Sequence, residues 1–138
     1  MIEILIVDDR AVVREELRNV LSLTGLVHVA GEAGDGWDAL RLAETLDLDI
    51  VLMDLEMPGL DGFEATRQIK RRGLSQAVIA FSVYADAANR RKALDAGADA
   101  FVVKGTDLRT LLDLFEQFAH RPRDYPGKAD ERQKGTPV

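Results

Sequence analysis

The apolar residues of this chain form four short runs, each followed directly by a polar or charged residue. Residues 4–7 precede Asp8 and Asp9, residues 50–53 precede Asp54, residues 78–81 precede Ser82, and residues 101–103 precede Lys104. Runs of this length, rich in branched side chains, are typical of strands buried on both faces of a parallel sheet. The pattern therefore predicts four strands, and a shorter apolar run at residues 27–30 predicts one more.

Between the predicted strands, apolar residues recur every three or four positions, as they do on one face of a helix. The first and last segments show this most clearly: Val12, Val13, Leu17, Val20 and Leu21, and then Leu108, Leu111, Leu112, Phe115 and Phe118. Gly25 and Gly73 stand where helix C-caps are expected, and Gly97 is expected to stop a later helix. Five strand–helix units predict an α/β fold with helices on both faces of a five-stranded parallel sheet.

Breaks in the pattern predict where individual elements begin and end. The second strand is expected at residues 27–30, the third at 49–54 and the fifth at 100–103, and the fourth helix from about residue 86 to 96. From His120 onward, prolines and glycines stand among charged residues with almost no apolar ones. We therefore expect a folded domain at residues 1–120, followed by a disordered tail or a truncated linker at residues 121–138.

Composition narrows the class of protein. A chain of 138 residues suits one domain with a substantial core. No apolar stretch approaches the roughly 18 residues that span a bilayer, and the N-terminus lacks the basic segment that begins a secretory signal. The absence of cysteine excludes disulfides and thiolate metal sites. We expect a cytoplasmic protein that does not bind membranes.

The charge distribution argues against nucleic acid as a ligand. Residues 1–120 contain 13 Lys and Arg against 21 Asp and Glu, a net charge of −8. Binding to the phosphate backbone requires a positive surface. The small basic excess of residues 121–138, a net charge of +2, is too weak to reverse this. The sequence predicts no direct binding of nucleic acid by this chain.

The polar residues at the strand ends have complementary chemistry. Ligands of open parallel sheets bind beyond the carboxyl ends of the strands, so these side chains are expected to meet at one edge. Asp8, Asp9 and Asp54 together suit a hard divalent cation such as Mg²⁺. Asp54 can attack phosphorus and form an aspartyl phosphate. Lys104 can neutralise charge on the transferred group, and Ser82 can donate a hydrogen bond to it.

Each of these residues also has an ordinary structural interpretation. Adjacent acids after a strand are often turn or N-cap residues, a lone serine is most often a turn residue, and a lone lysine is most often solvated. Asp54 is more distinctive, because an unpaired charge at the end of an apolar strand is costly to bury. Four strand ends with complementary chemistry in one sheet favour a functional site over four coincidences.

These residues resemble the receiver domain of two-component response regulators, over about residues 2–119. That family has an acidic pair after its first strand, a phosphoacceptor Asp after the third, Ser or Thr after the fourth and Lys after the fifth. The segments MPGLDG at residues 57–62 and GEAGDG at residues 31–36 are also similar to the family. The sequence looks most like the subgroup that often carries a C-terminal helix-turn-helix domain, which would be missing from this chain.

The resemblance implies a doubly wound, flavodoxin-like sheet of order 2-1-3-4-5. It implies a signalling protein that catalyses only its own phosphorylation and dephosphorylation, with a phosphohistidine on a sensor histidine kinase or phosphotransfer protein as donor. Asp9, Asp54 and the backbone carbonyl of Glu56 would bind Mg²⁺ directly, and Asp8 through a water. Ser82 and Phe101 would switch the face formed by the fourth helix, fifth strand and fifth helix. A homodimer is left open.

Several positions depart from the common family pattern. Gly105 follows Lys104 where many members have a cis proline, so the isomer of that bond is left open. Val83 replaces a smaller residue and would narrow access for the phosphate. Phe101 lacks the hydroxyl of a tyrosine, and a plain core aromatic is the alternative to its switch role. The carboxylate of Glu56 would position an attacking water or repel the phosphoryl group.

Two other functions are weighed against a phosphoacceptor. A pseudo-receiver would bind partners without phosphorylation, but the complete set of acids, hydroxyl and lysine argues against it. An acid-nucleophile phosphatase would carry a second Asp two residues after the nucleophile, where this chain has Glu56. No cap domain for such an enzyme is visible in the sequence.

Overall fold

The computed structural model describes residues 1–119, so the predicted tail at residues 121–138 lies outside the described part of the chain. Strands and helices alternate along the whole of it. The strands are β1 (Ile2–Val7), β2 (Val27–Ala33), β3 (Ile50–Asp54), β4 (Ala77–Ser82) and β5 (Ala100–Val103). The helices are α1 (Ala11–Ser22), α2 (Gly36–Thr45), α3 (Gly62–Arg72), α4 (Ala87–Asp95) and α5 (Leu108–Ala119).

The five strands form one sheet in the order β2-β1-β3-β4-β5, and every neighbouring pair is parallel. This confirms the predicted fold class and strand order. The strand order reverses between β1 and β3, because the chain leaves β1 in one direction and continues from β3 in the other. A sheet of this kind leaves a crevice for ligands at the carboxyl ends of those two strands.

Alternate residues of each strand face opposite layers of helices. On one face, Ile4 and Ile6 pack with Leu21 of α1 and Phe115 of α5. On the other face, Leu5 and Val7 belong to a second core with residues from α2 and α3. A third, smaller cluster joins Ala93 of α4 to Ala80 of β4. The apolar runs seen in the sequence are therefore strands covered on both sides, as predicted.

Aspartates fix the N-termini of four helices that lead away from the sheet. Each accepts a hydrogen bond from the backbone N–H three residues later, at 2.8 Å for Asp35, 2.9 Å for Asp61, 2.7 Å for Asp86 and 2.8 Å for Asp107. Such caps satisfy N–H groups that have no partner inside the helix. At the other end of α3, Gly73 has the left-handed conformation that was predicted for a C-cap.

The structure corrects some predicted bounds. β2 continues to Ala33 rather than residue 30, because residues 31–33 pair with β1 beyond an irregularity between Ile4 and Leu5. α1 ends at Ser22 and is capped by Leu23, so Gly25 lies in the following turn instead of at the C-cap. The peptide bond before Gly105 is trans, as are all bonds within residues 1–119.

A glycine at the start of α3 allows the connection after β3 to fold tightly. A Cβ atom placed on Gly62 would lie 2.0 Å from the carbonyl oxygen of Asp54 and 2.7 Å from the Cα of Leu55. Both obstacles are backbone atoms, which cannot move aside as a side chain can. Only glycine lets the first turn of α3 approach the end of β3 this closely.

We therefore expect Gly62→Ala to lower the free energy of unfolding by about 2 kcal/mol or more, as overpacking in a close contact does. Gly34→Ala is the matched control, because its Cβ would meet only the flexible end of Arg14 at 3.4 Å. The control should change stability by less than about 0.5 kcal/mol. Urea unfolding measures both, and equal effects of the two substitutions would contradict the steric explanation.

Candidate functional site

Three carboxylates meet at the carboxyl edge of the sheet. Asp8 and Asp9 follow β1, and Asp54 is the last residue of β3, the neighbouring strand. One oxygen of each carboxylate lies within 4.8 Å of an oxygen of the other two. The structure thus brings together the acids that the sequence placed at the ends of separate apolar runs.

The two adjacent acids have different surroundings. Asp8 is buried, and its carboxylate accepts hydrogen bonds from Lys104 Nζ at 2.7 Å and from the backbone N–H of Arg10 at 2.9 Å. Its own backbone N–H donates to Ala33, which extends the pairing of β1 and β2 to this point. Asp9 is exposed. Asp8 is therefore held by the protein, whereas Asp9 faces solvent and is accessible to a ligand.

Asp54 combines burial with neighbouring charges of both signs. It is 2% exposed, and Lys104 Nζ lies 3.3 Å from its Oδ1. Burial and repulsion from Asp8 raise the pKa of Asp54 to about 6, while Lys104 and the backbone N–H of Glu56 lower it and only partly offset the rise. The charged form of Asp54 is therefore only partly stabilised by its surroundings, and a cation bound beside it would stabilise it further.

Lys104 joins the site from β5, two strands away from β3. Its ammonium contacts Asp8 and Asp54 while its side chain keeps only 13% of its surface exposed. The backbone N–H of Lys104 donates to the carbonyl of Ser82 at 2.8 Å, which aligns the ends of β4 and β5. Lys104 is therefore not the solvated surface lysine that its ordinary interpretation predicted.

Ser82 is fully buried at the end of β4, and its hydroxyl is engaged by the connection after β3. It donates to the Glu56 carboxylate, at 2.9 Å from Oε1 and 3.0 Å from Oε2, and accepts from the backbone N–H of Tyr84 at 3.0 Å. The side-chain amide of Asn89 in α4 lies 3.3 Å from the same hydroxyl. No sequence pattern pointed to Asn89. Glu56 was expected as a backbone ligand and as a carboxylate that would position an attacking water or repel the phosphoryl group, and not as a partner of Ser82.

Phe101 lies apart from the carboxylates, near α4. It is partly buried against the cluster that contains Phe63 and Ala93. The guanidinium of Arg90 stands over its ring, 4.7 Å from the ring centre. Arg90 Nε also donates to the carbonyl of Ala85 at 3.1 Å. A surface residue of α4 therefore covers the aromatic and binds the connection that follows Ser82.

A groove of about 400 Å³ opens beside Lys104, between α1 and the connection from β5 to α5. Its lining is largely apolar and includes Val83, a residue that is 55% exposed. Val83 thus stands at the edge of an open groove, and its predicted effect on access for the phosphate stays a prediction.

The carboxylates fit a divalent cation in both charge and chemistry. Three acids face the ammonium of Lys104 and the guanidinium of Arg10, which lies 4.0 Å from Asp8, so one negative charge remains in excess when all are ionised. All the side-chain ligands would be oxygen atoms, which Mg²⁺ prefers. Asp9 and Asp54 offer carboxylate oxygens. Asp8 lies next to them, and its carboxylate already accepts a hydrogen bond from Lys104. The residues present therefore suit Mg²⁺.

None of the five helices within residues 1–119 combines the length and the apolar composition that crossing a membrane requires.

Comparison with known proteins gives a consistent result. A family model described as "Response regulator receiver domain" matches residues 4–116. The chain is 35% identical over 111 residues to the nitrate/nitrite response regulator protein NarP of Escherichia coli, covering 80% of this chain and 52% of that protein. It spans about half the length of such relatives.

Solved structures agree with this match. A LuxR-family two-component response regulator from Aurantimonas superposes with a TM-score of 0.78 and 36% identity, covering 85% of this chain and 84% of that one. The receiver domain of sensor histidine kinase PA1611 from Pseudomonas aeruginosa superposes with a TM-score of 0.76 and 30% identity, covering 86% and 98%. That structure is described as having a magnesium ion coordinated in its active-site cleft.

The raised pKa of Asp54 predicts how stability depends on pH in EDTA. Because the pKa in the folded chain (about 6) exceeds the ordinary value of 3.8, folding favours the protonated form. This contribution is fully present below pH 4 and is lost as the pH rises through 6. A difference of about two units between the pKa values of Asp54 in the folded and unfolded chain corresponds to at most about 3 kcal/mol of stability.

Asp54→Asn should therefore be more stable than the wild type in EDTA, by about 2 kcal/mol at pH 8 and by much less at pH 4.5. Urea unfolding at several pH values measures the difference. Glu116→Gln, which removes an exposed carboxylate from α5, is the control and should keep the wild-type profile. A constant difference between Asp54→Asn and the wild type at every pH would contradict the burial effect.

Proposed function

Because the chain belongs to the response regulator receiver domain family of two-component signalling, we propose that Asp54 accepts a phosphoryl group from a phosphohistidine donor. Receiver domains are generally signalling domains and not enzymes that turn over external substrates, and phosphorylation and Mg²⁺ binding are general properties of the family. The observation that carries the proposal is the Asp54 carboxylate itself, buried between Asp8 and Lys104 at the end of β3.

In the proposed transfer, an oxygen of Asp54 attacks the phosphorus of the donor. A P–O bond to Asp54 forms as the P–N bond to the histidine breaks, and the imidazole leaves with the electron pair of that bond. With a pKa of about 6, Asp54 is largely ionised at neutral pH and can act as nucleophile. Lys104 reaches Asp54 and Asp8 together, so its ammonium is in position to interact with a phosphoryl oxygen on Asp54.

The metal ligands are proposed from the resemblance to the family. Asp9, Asp54 and the backbone carbonyl of Glu56 would hold Mg²⁺, with Asp8 acting through a water. When bound, Mg²⁺ neutralises negative charge on the transferring group. Asp8 keeps its hydrogen bond from Lys104, which fixes the ammonium beside Asp54. The exposed position of Asp9 and the charge excess of the site support this assignment.

A change in partner binding would follow from Ser82 and Phe101. Ser82 is the last residue of β4. Phe101 lies on β5 and pairs with Ala80, which precedes Ser82 by two residues in β4. The hydroxyl of Ser82 would move to a phosphoryl oxygen, and the ring of Phe101 would turn inward, which changes the face of α4, β5 and α5. Phe101 is only partly buried beneath Arg90, and this supports a ring that is able to turn.

The donor would be a sensor histidine kinase or a phosphotransfer protein. The output of the whole protein is proposed by analogy with longer relatives, and so is any DNA-binding domain beyond this chain. A homodimer is left open, and the domain bounds at residues 1–120 and the cytoplasmic location stay predictions. Direct binding of nucleic acid is not expected from the acidic charge of residues 1–120.

Labelling with a small phosphodonor tests the nucleophile. Acetyl phosphate with Mg²⁺ should increase the intact mass of the wild-type protein by one phosphoryl group. Asp54→Asn should remove this labelling, because the amide has no anionic oxygen to attack phosphorus. Asp61→Asn, which changes the acidic cap of α3, serves as the control and should still be labelled. Equal labelling of Asp54→Asn would refute the proposal.

Calorimetric titration with MgCl₂ tests the metal ligands. Asp9→Asn should weaken Mg²⁺ binding by at least about tenfold, since even loss of a group that only supports a ligand costs roughly 10–100-fold in affinity. Glu116→Gln removes the same charge from exposed α5 and should bind Mg²⁺ like the wild type. Equal affinity of Asp9→Asn and the wild type would exclude Asp9 as a ligand.

A further inference from the structure

The hydroxyl of Ser82 is part of a polar cluster that links three segments of the chain. It donates to the Glu56 carboxylate at 2.9 and 3.0 Å, from the connection after β3. The amide nitrogen of Asn89, in the first turn of α4, donates to the carbonyl of Tyr84 at 2.8 Å. The same nitrogen lies 3.3 Å from Ser82 Oγ and 3.4 Å from Glu56 Oε1.

A serine hydroxyl has a single hydrogen, so it can donate fully to only one acceptor. Here that acceptor is a carboxylate, and hydrogen bonds to ionised acceptors are stronger than those between neutral groups. A phosphoryl group on Asp54 would need the same hydrogen. Donation to Glu56 and donation to the phosphoryl group therefore exclude each other.

Asn89 is well placed to maintain the contact with Glu56. Its backbone N–H is fixed by the N-cap Asp86 at 2.7 Å, and its side chain is fixed by the carbonyl of Tyr84. Its amide nitrogen is also 3.3 Å from Ser82 Oγ and 3.4 Å from Glu56 Oε1, distances that allow its second hydrogen to be shared by both. Glu56 is otherwise an exposed residue of a surface connection, so Asn89 restrains a side chain that would be mobile.

We propose that Glu56 and Asn89 are positioning residues that hold the Ser82 hydroxyl in a latch and thereby compete with the phosphoryl group for it. The proposal rests on the proposed function, in which a phosphoryl group on Asp54 draws Ser82 towards it. The latch sets a threshold, because part of the stabilisation gained by the phosphorylated form is used to break the contact with Glu56. Loss of the latch should make the protein bind a phosphoryl group, or its mimic, more tightly.

A simpler effect of Glu56 has to be separated from the latch. The negative charge of Glu56 repels a phosphoryl group whether or not it binds Ser82. Repulsion acts through distance alone and persists when Ser82 is replaced by alanine. The latch needs the hydroxyl and disappears with it. A double-mutant cycle between Glu56 and Ser82 distinguishes the two.

The experiment measures the affinity for beryllofluoride, a phosphoryl mimic, by fluorine NMR at saturating Mg²⁺. Glu56→Ala should bind it about tenfold more tightly than the wild type, the size expected for removing one hydrogen bond to a charged group. In the Ser82→Ala background the same substitution should have a smaller effect. The difference between the two effects is the contribution of the latch.

Asn89→Ala provides a second measurement that leaves every charge in place. It should tighten beryllofluoride binding about two- to fivefold, as expected for loss of a weaker, shared hydrogen bond. Asn19→Ala, at the exposed asparagine of α1, is the matched control and should bind like the wild type. If the Ser82→Ala variants bind too weakly to measure, the comparison of Asn89→Ala with Asn19→Ala decides.

The outcomes separate the latch from the proposed function. Equal effects of Glu56→Ala in the wild-type and Ser82→Ala backgrounds would overturn the latch and leave charge repulsion. An unchanged affinity of Asn89→Ala would overturn the role of Asn89. Failure of the wild type to bind beryllofluoride at all would instead refute the proposed function. Thermal unfolding of each variant confirms that the compared proteins are folded.

Discussion

The contact of one ammonium with two buried carboxylates is the interaction on which the site depends. Lys104 Nζ lies 2.7 Å from Asp8 and 3.3 Å from Asp54, and both acids are almost fully buried. Carboxylates in such a position lose hydration and repel each other, so a cation has to reach both. The contact exists only when β1, β3 and β5 end at the same level. A parallel sheet whose strands all end at one edge provides this.

The backbone is closely packed at that edge of the sheet, where the connections that follow β2 and β3 meet. The approach of Gly62 to Asp54 and Leu55 keeps the connection from β3 to α3 short and tight. A second close approach, of Gly36 to the carbonyl of Leu60, packs the connection from β2 to α2 against it. Glu56 belongs to this tight connection after β3, and its carboxylate accepts a hydrogen bond from Ser82 at the end of the neighbouring strand β4.

The first turn of α4 links the hydroxyl to the aromatic. Asn89 binds the carbonyl of Tyr84 and faces Ser82, while Arg90 binds the carbonyl of Ala85 and covers Phe101. These two consecutive residues hold two consecutive carbonyls of the same connection. A displacement of that connection would therefore alter the contacts of both Asn89 and Arg90, and so of both Ser82 and Phe101.

Local pattern was sufficient to predict the sheet, the helix bounds at Asp86 and Gly73, and the four strand ends that bear the chemistry. These features depend on periodicity and on residues next to each other in the chain. Contacts between groups far apart in the chain were visible only in the folded structure. Ser82 donates a hydrogen bond to Glu56, 26 residues away, and lies beside Asn89 of α4. The same holds for the extension of β2 to Ala33, because that strand is completed by pairing with β1. Such contacts depend on the path of connections and the rotation of helices about their axes, which no local pattern encodes.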